Sequence, residues 1–497
     1  MCADPAPPVV SLRQGDLRGR EESGVLSFRG IPYAAPPVGD LRFAAPAPPQ
    51  TWDGVRDALD YGPTAPKGPY PPGVDALLPE PVIAGDDYLN LNVWTPGTDG
   101  RRPVLVWIHG GAFVNGSGAV SAYEGSRFAR DGVVCVTINY RLGAEGFLLV
   151  DGAPANRGLL DQVAALTWVR NNIAAFGGDP DAVTIAGESA GAMSVTTLTA
   201  VPSARGLFRR VIAQSGGGHH AMSPQTAGTV AAALAEDLGV PATASGFRSV
   251  PVDRLVGAQA ALSTRIATQP DPALWGEIAG DSMAFEPCVD GDVLPSRPID
   301  AMPGSTADVD MLVGSNADEA TLFLVPNGLA DFVSDDLLRT SVTGFGLDPD
   351  TALAAYRAAL PEATPGDLLA AFIRDRTFRI PAVRIAESRL TSGLPTYVYE
   401  FAWRTPQLAG RLGATHALEI GFVFDTLDDP AGEPFVGTKP PQHLADAMHA
   451  AWVAFVTSGA PGWEPYGDRR TVMRFDDASG VVRDPAPELR AVWDGVR

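Results

Sequence analysis

Short apolar runs recur along the chain near 103–108, 133–138, 183–187, 211–214, 309–313 and 396–401, and each reads as a buried strand. Between them the period changes to that of a helix. The clearest case is about 158–174, where Leu159, Val163, Leu166, Val169 and Ile173 fall on one face that would pack on a sheet. Strands alternating with such segments predict a wound, mostly parallel α/β sheet flanked by helices. The region about 8–50 is expected to add a small group of N-terminal strands. Ala/Leu-rich stretches predict helical insertions at about 224–300 and 328–391, lying over the site and shaping what enters it. Pro63 to Pro81 is too proline-dense for regular structure, which leaves a loop at a pocket mouth or an inert surface loop. No internal repeat is present.

One pentapeptide carries chemistry. Gly187-Glu188-Ser189-Ala190-Gly191 follows the apolar Val183-Thr184-Ile185-Ala186 and precedes the small-residue helix expected at Ala190 to Ala200. A serine between two glycines at a strand-to-helix turn matches a nucleophile elbow, where strain lifts the hydroxyl clear of the sheet. No other serine fits the pattern.

A serine hydroxyl needs a base, a group orienting that base, and donors for an oxyanion. The strand at 103–108 runs into His109-Gly110-Gly111-Ala112-Phe113. The N–H groups of Gly110, Gly111 and Ala190 are therefore candidates for a three-donor oxyanion pocket, against the alternative of a plain glycine turn. Of six histidines, His109 belongs to that turn. His443 and His449 lie on an apolar-patterned helix from about Gln442 to Val456, and His219 and His220 follow a strand without an obvious acidic partner. His416 remains, in the loop Gly413 to Glu419, and a structural loop histidine is its alternative. The candidate acids, Asp318 and Glu319, follow the strand at 309–313 and are not distinguishable from the residues alone. Serine, then acid, then histidine is the chain order of α/β-hydrolases.

The chain resembles the bacterial type B carboxylesterases of the para-nitrobenzyl esterase group and, more distantly, the cholinesterases. The resemblance rests on Phe28-Arg29-Gly30-Ile31-Pro32-Tyr33, Asp87 to Trp94, His109 to Phe113, Asn139-Tyr140-Arg141-Leu142-Gly143, and Gly158 to Gln162 through Phe176-Gly177-Gly178-Asp179-Pro180. It continues through Gly187 to Gly191, Gln214-Ser215-Gly216, Asp318-Glu319 and His416 to Phe424. It implies an α/β-hydrolase fold over residues 1–497 as a single catalytic domain, and a serine carboxylesterase acting through an acyl-enzyme. The roles it implies are nucleophile for Ser189, acid for Glu319 and base for His416, with Ser215 and Glu188 supporting the triad. At the positions where secreted animal members close a loop with a disulfide, this chain has Ala65 and Tyr88. Ala320 and Gly421 also depart from the family pattern, without removing a catalytic group. Animal relatives that serve in adhesion lack triad residues, whereas all three positions are filled here. The triad leaves open an amide or carbamate as the bond cleaved.

Composition adds limits. Among 497 residues, 45% are hydrophobic and 19% charged, and no apolar run is long enough to span a bilayer. The net charge of −21 opposes binding to a phosphate backbone, so nucleic acid is not an expected partner. Cys2, Cys135 and Cys288 are far apart, which fits a reducing compartment or disulfide-independent folding, with Cys135 a buried thiol. Met1 to Pro8 lacks a basic region followed by an apolar stretch, so no signal peptide and a cytoplasmic location are expected. Neither metal nor organic cofactor is expected, since zinc-type histidine spacing and a phosphate-loop lysine are missing. The expected partner is a small-molecule ester, and the oligomeric state is open, a monomer being compatible. Phe113, His219, His220, Phe323 and Phe372 are candidate pocket residues, with core packing the alternative reading of the aromatic ones.

Overall fold

The computed structural model describes residues 7–281, 283–305, 308–391 and 393–496. Cys2 and most of the N-terminal stretch read above lie outside the described residues.

All six expected strands form, and all belong to one eleven-stranded sheet. From one edge the order is Gly480–Arg483, Thr471–Phe475, Thr396–Phe401, Asp310–Asn316, Arg210–Gln214, Gly178–Glu188, Arg102–Ile108, Val134–Ile138, Asn90–Thr95, Val25–Pro32 and Arg20–Glu22. The strands from Thr471–Phe475 to Val134–Ile138 run parallel, and antiparallel strands close both edges. Sequence periodicity missed most of the edge strands, because short half-exposed segments such as Gly480–Arg483 carry little apolar signal. A separate three-stranded sheet pairs Val9–Leu12, Gly15–Arg18 and Val55–Asp57.

Alternation along each central strand divides the interior into two cores. Val104, Val106 and Ile108 face a core shared with Ile185, Val211 and the helix Arg157–Asn172, which buries Leu159, Leu166 and Val169. Leu105 and Trp107 face the opposite core, shared with Ala186, Ile212 and the helix Gln442–Ser458, which buries Leu444, Met448, Trp452 and Phe455. Val134–Ile138 and Arg210–Gln214 are buried throughout, as strands covered on both faces require. After Arg102–Ile108 the chain visits Val134–Ile138 on one side and Gly178–Glu188 on the other. That reversal of strand order is where open α/β sheets bind ligands, beyond the strands' carboxyl ends.

Both insertion regions contain helices, though 283–297 of the first is described and is not helical. Pro224–Leu238 and Val252–Thr268 lie between Arg210–Gln214 and Asp310–Asn316. Asp335–Gly344, Pro349–Ala359, Pro365–Arg374 and Ile380–Ser388 lie between Asp310–Asn316 and Thr396–Phe401, around a third core containing Tyr356, Phe372 and Trp493. Cys135 and Cys288 are buried free thiols, and Ala65 and Tyr88 are both buried. Among the described residues no helix is long and apolar enough to cross a membrane.

Arg141, just after Val134–Ile138, is tied to Asp161 on the helix Arg157–Asn172. Its Nε and Nη2 donate to the two carboxylate oxygens at 2.8 and 2.7 Å, its backbone N–H donates at 3.0 Å, and its Nη1 reaches Ala44 O at 2.6 Å. Both side chains are buried. Asp161→Ala would leave the guanidinium uncompensated, so a loss of about 3–5 kcal/mol is expected, read as a lower urea midpoint.

Candidate active site

Ser189 caps the strand Gly178–Glu188 and precedes the helix Ala190–Leu198, with φ 56° and ψ −125°, a conformation non-glycine residues rarely adopt. Its N–H donates to Gln214 O at 2.9 Å, pinning the turn to the neighbouring strand. The flanking glycines are required by contact. A Cβ on Gly191 would overlap Ile108 O, and one on Gly187 would lie 2.5 Å from the Gly191 carbonyl carbon. Between Val183 and Thr199 only Ser189 is not buried.

Gly110 packs directly against this turn, since a Cβ there would lie 2.8 Å from Glu188 O and 3.0 Å from Ser189 Cβ. Gly111, Ala112 and Phe113 have φ of 104°, 51° and 61° in succession. The N–H groups of Gly110, Gly111 and Ala190 donate to no backbone carbonyl outside regular elements among the described residues, and Ala190 opens its helix, where N–H groups lack intrahelical partners. Further positive φ values occur at Ser215 and Ala417. Backbone strain thus gathers around one spot, as it does at functional sites.

His416 and Glu319 meet, with His416 Nδ1 2.6 Å from Glu319 Oε2. The other Glu319 oxygen accepts the Asn316 N–H at 2.7 Å. Asp318 faces elsewhere, taking Arg404 at 2.5 Å and the Ala414 N–H at 2.9 Å. Glu188 Oε1 lies 3.1 Å from His416 Nε2, off the line of a hydrogen bond. No hydrogen bond joins Ser189 Oγ to His416 among the described residues, because Nε2 is turned toward Glu188.

Three expectations are corrected. Ser215 is buried, yet its Oγ has no hydrogen-bond partner, so the expected link to the triad is not formed; its N–H instead ties its strand end to Gly314 O at 2.9 Å. Phe113 is wholly buried and packs edge-on against Phe147 at 4.8 Å, behind the glycine turn. Phe372 is equally buried and stacks on Tyr356 at 3.8 Å in the third core. Phe323, in contrast, is 40% exposed, with its ring 5.3 Å from that of His416. His219 is half-buried, while His220 is buried against Thr377 O at 3.2 Å. His220, Asp281 and Glu286 offer one ligand atom each within 4.8 Å of one another, but the Arg376 guanidinium interacts with both carboxylates and supplies the positive charge that a cation would duplicate. His109 stacks on Tyr140 at 4.5 Å, and burial pushes its pKa down to about 3, so it stays neutral.

Residues 6–481 match the carboxylesterase family. The chain belongs to that family. It is 39% identical to phenmedipham hydrolase of Pseudarthrobacter oxydans, over 97% of this chain and 96% of the relative. With para-nitrobenzyl esterase of Bacillus subtilis the identity is 36%, over 97% of each. The crystal structure of a Geobacillus stearothermophilus carboxylesterase superimposes with a TM-score of 0.85 at 38% identity, covering 98% of this chain and 99% of that one. The protein is a carboxylic ester hydrolase of the α/β-hydrolase fold.

Two residues beside His416 escaped sequence reasoning. Glu419, three residues after His416, is fully buried and accepts from Asn316 Nδ2 at 2.6 Å and Gln214 Nε2 at 3.0 Å. Phe378, on a π-helical turn spanning Asp375–Arg379, lays its ring 4.6 Å from that of His416. Nothing local in the sequence marks Phe378; the second insertion delivers it. Glu419 could have been found as a carboxylate on an otherwise apolar segment.

The carboxylates set the charge of the cluster. Burial disfavours the His416 imidazolium, but Glu188 and Glu319 outweigh it and raise its pKa to about 9. Burial raises Glu188 to about 8 against the attraction of His416, with Glu419 and Glu319 adding to the rise. Glu419 is raised as well, first by burial and then by Glu319.

The crossing at the elbow gives a steric test. Gly191→Ala is expected to destabilise by about 1–3 kcal/mol or more through overpacking. Gly228→Ala, on the exposed face of Pro224–Leu238 with open space around it, is expected to stabilise by about 0.5–1 kcal/mol. Thermal unfolding of the two variants should therefore move in opposite directions.

Proposed function

We propose that the esterase works through an acyl-enzyme in which Ser189 attacks the ester carbonyl and His416 takes its proton. Glu319 holds the imidazole by its Nδ1 and stabilises the imidazolium, and the N–H groups of Gly110, Gly111 and Ala190 receive the oxyanion. His416 then protonates the leaving alcohol, and water repeats the sequence to free the acid. The observation that carries this reading is the strained, half-exposed Ser189 against Gly110, one residue from the Glu188–His416–Glu319 cluster. For the first step His416 Nε2 must turn from Glu188 to Ser189 Oγ, and catalytic hydrogen bonds commonly tighten only in the substrate complex.

Residues 1–497 act as one catalytic unit, with the two helical insertions shaping the pocket. Phe323 and Phe378, flanking His416, suit aryl or benzyl esters with short to medium acyl chains. An amide or carbamate substrate on the same triad would be distinguished by matched ester, anilide and carbamate compounds, because the pocket and not the triad sets leaving-group preference.

Release of nitrophenol from short and medium-chain para-nitrophenyl esters tests the reading, with a loss of roughly 10⁴–10⁶ in kcat expected for Ser189→Ala. Equal turnover by that variant would sink it. A charged imidazole cannot accept a proton, so with the His416 pKa raised to about 9 the neutral fraction, and with it kcat/KM, should climb as pH rises from neutrality. Glu188→Gln removes a charge that favours the imidazolium, so the acid limb of the kcat/KM profile should move to lower pH. A limb that stays in place would show that Glu188 does not set the charge of His416.

A further inference from the structure

The proline-dense segment between Pro63 and Pro81 forms neither helix nor strand, yet it encloses an ion pair. Lys67 Nζ lies 2.9 Å from Glu80 Oε1, with the two side chains 1% and 11% exposed. Burial pushes the ammonium down and the carboxyl up, and each holds the other toward its charged form. An inert surface loop gives no reason to bury a charge pair, which costs desolvation at both ends.

The pair grips one short stretch of backbone. Lys67 Nζ donates to Gly116 O at 3.3 Å, Glu80 Oε1 accepts from Ser117 Oγ at 3.0 Å, and Asn115 Nδ2 donates to Gly68 O at 2.6 Å. Residues 115–117 in turn back the glycine turn without a gap. The N–H groups of Val114 and Asn115 donate to Gly111 O at 2.9 and 2.8 Å. A Cβ on Gly116 would overlap Gly110 O and His109 Nδ1, and one on Gly111 would overlap Asn115 O. The far side of the loop is anchored as well. Val74 and Leu77 enter the core that holds Trp107, and a Cβ on Gly73 would lie 2.7 Å from Pro326 O, three residues beyond Phe323.

We propose that Lys67 and Glu80 are positioning residues for catalysis: their buried ion pair clamps the 63–81 loop onto residues 115–117 and so fixes the direction of the Gly110 and Gly111 N–H groups. The proposal rests on the acyl-enzyme reading above, in which those groups receive the oxyanion. Donors stabilise a developing charge only if they are already aimed at it, and a loop without regular structure has no ladder of its own to hold that aim.

Steady-state kinetics on para-nitrophenyl butyrate, with thermal midpoints, would be measured for wild type, Ser189→Ala, Lys67→Met, Glu80→Gln and the double variant Lys67→Met/Glu80→Leu. Misaimed donors should lower kcat by roughly 10–100-fold with KM within about threefold. Each single change leaves a buried group unpaired and should lower the midpoint, while the apolar double variant should recover it and still be slow. Because both residues act through one contact, the double defect should not exceed the larger single one by much. A double variant with wild-type midpoint and kcat within about twofold of wild type overturns the proposal, as does a defect confined to KM. If the double variant does not fold, Glu80→Gln, which keeps the shape of the side chain, decides by the same kcat criterion. Full turnover by Ser189→Ala would instead overturn the acyl-enzyme reading and the proposal with it.

Discussion

Strand and helix cross so closely at the elbow that the carbonyl of Ile108 occupies the space a Cβ on Gly191 would need, and Gly187 meets the Gly191 backbone in the same way. Much of the site follows from this contact. It brings the carboxyl end of Arg102–Ile108 against the start of Ala190–Leu198, so the Gly110 turn and Ser189 become neighbours despite the distance between them in the chain. At the same crossing Ser189 takes φ 56°, a strained conformation in which it alone is partly exposed while the residues around it stay buried.

The second constraint is electrostatic. Glu188, Glu319 and Glu419 are buried around a single imidazole; their charges favour the imidazolium, and burial raises Glu188 and Glu419. Hydrogen bonds fix two of the three carboxylates, and the third is held by charge alone. Glu319 holds Nδ1 and the Asn316 N–H, Glu419 holds Asn316 and Gln214, and Glu188 rests against Nε2. Gln214 in turn accepts from Trp452 Nε1 at 2.8 Å, so the polar cluster is braced by the helix that covers the opposite face of the sheet.

Around this frame other segments arrive from different directions. The second insertion supplies Phe378 through a π-helical turn whose Asp375 is held by Arg374 and Arg379, and Phe323 comes from the turn after Asp310–Asn316. The 63–81 loop closes on the side of the glycine turn. The residues around His416 and the glycine turn thus come partly from segments with no register in the central sheet, which leaves the sheet free to serve as a fixed support.

The sequence by itself determined the six inner strands, the elbow and the Gly110-Gly111 turn, because each depends on local physics: apolar runs that must be buried, and glycines where a Cβ will not fit. His416 was found by elimination among six histidines. Choosing Glu319 over Asp318 required a resemblance, and in space the choice is plain, since Asp318 points to Arg404. Only the tertiary structure decided what lies beyond local reach. It sent Phe113 and Phe372 into cores and Phe323 to the histidine, left Ser215 Oγ without a partner, and brought Glu188, Glu419 and Phe378 to the imidazole. An aromatic side chain has the same propensity in a core as in a pocket, and a glutamate carries no mark of its future neighbours. Their roles depend on which distant segment folds against them, and that is settled only when the long-range contacts form.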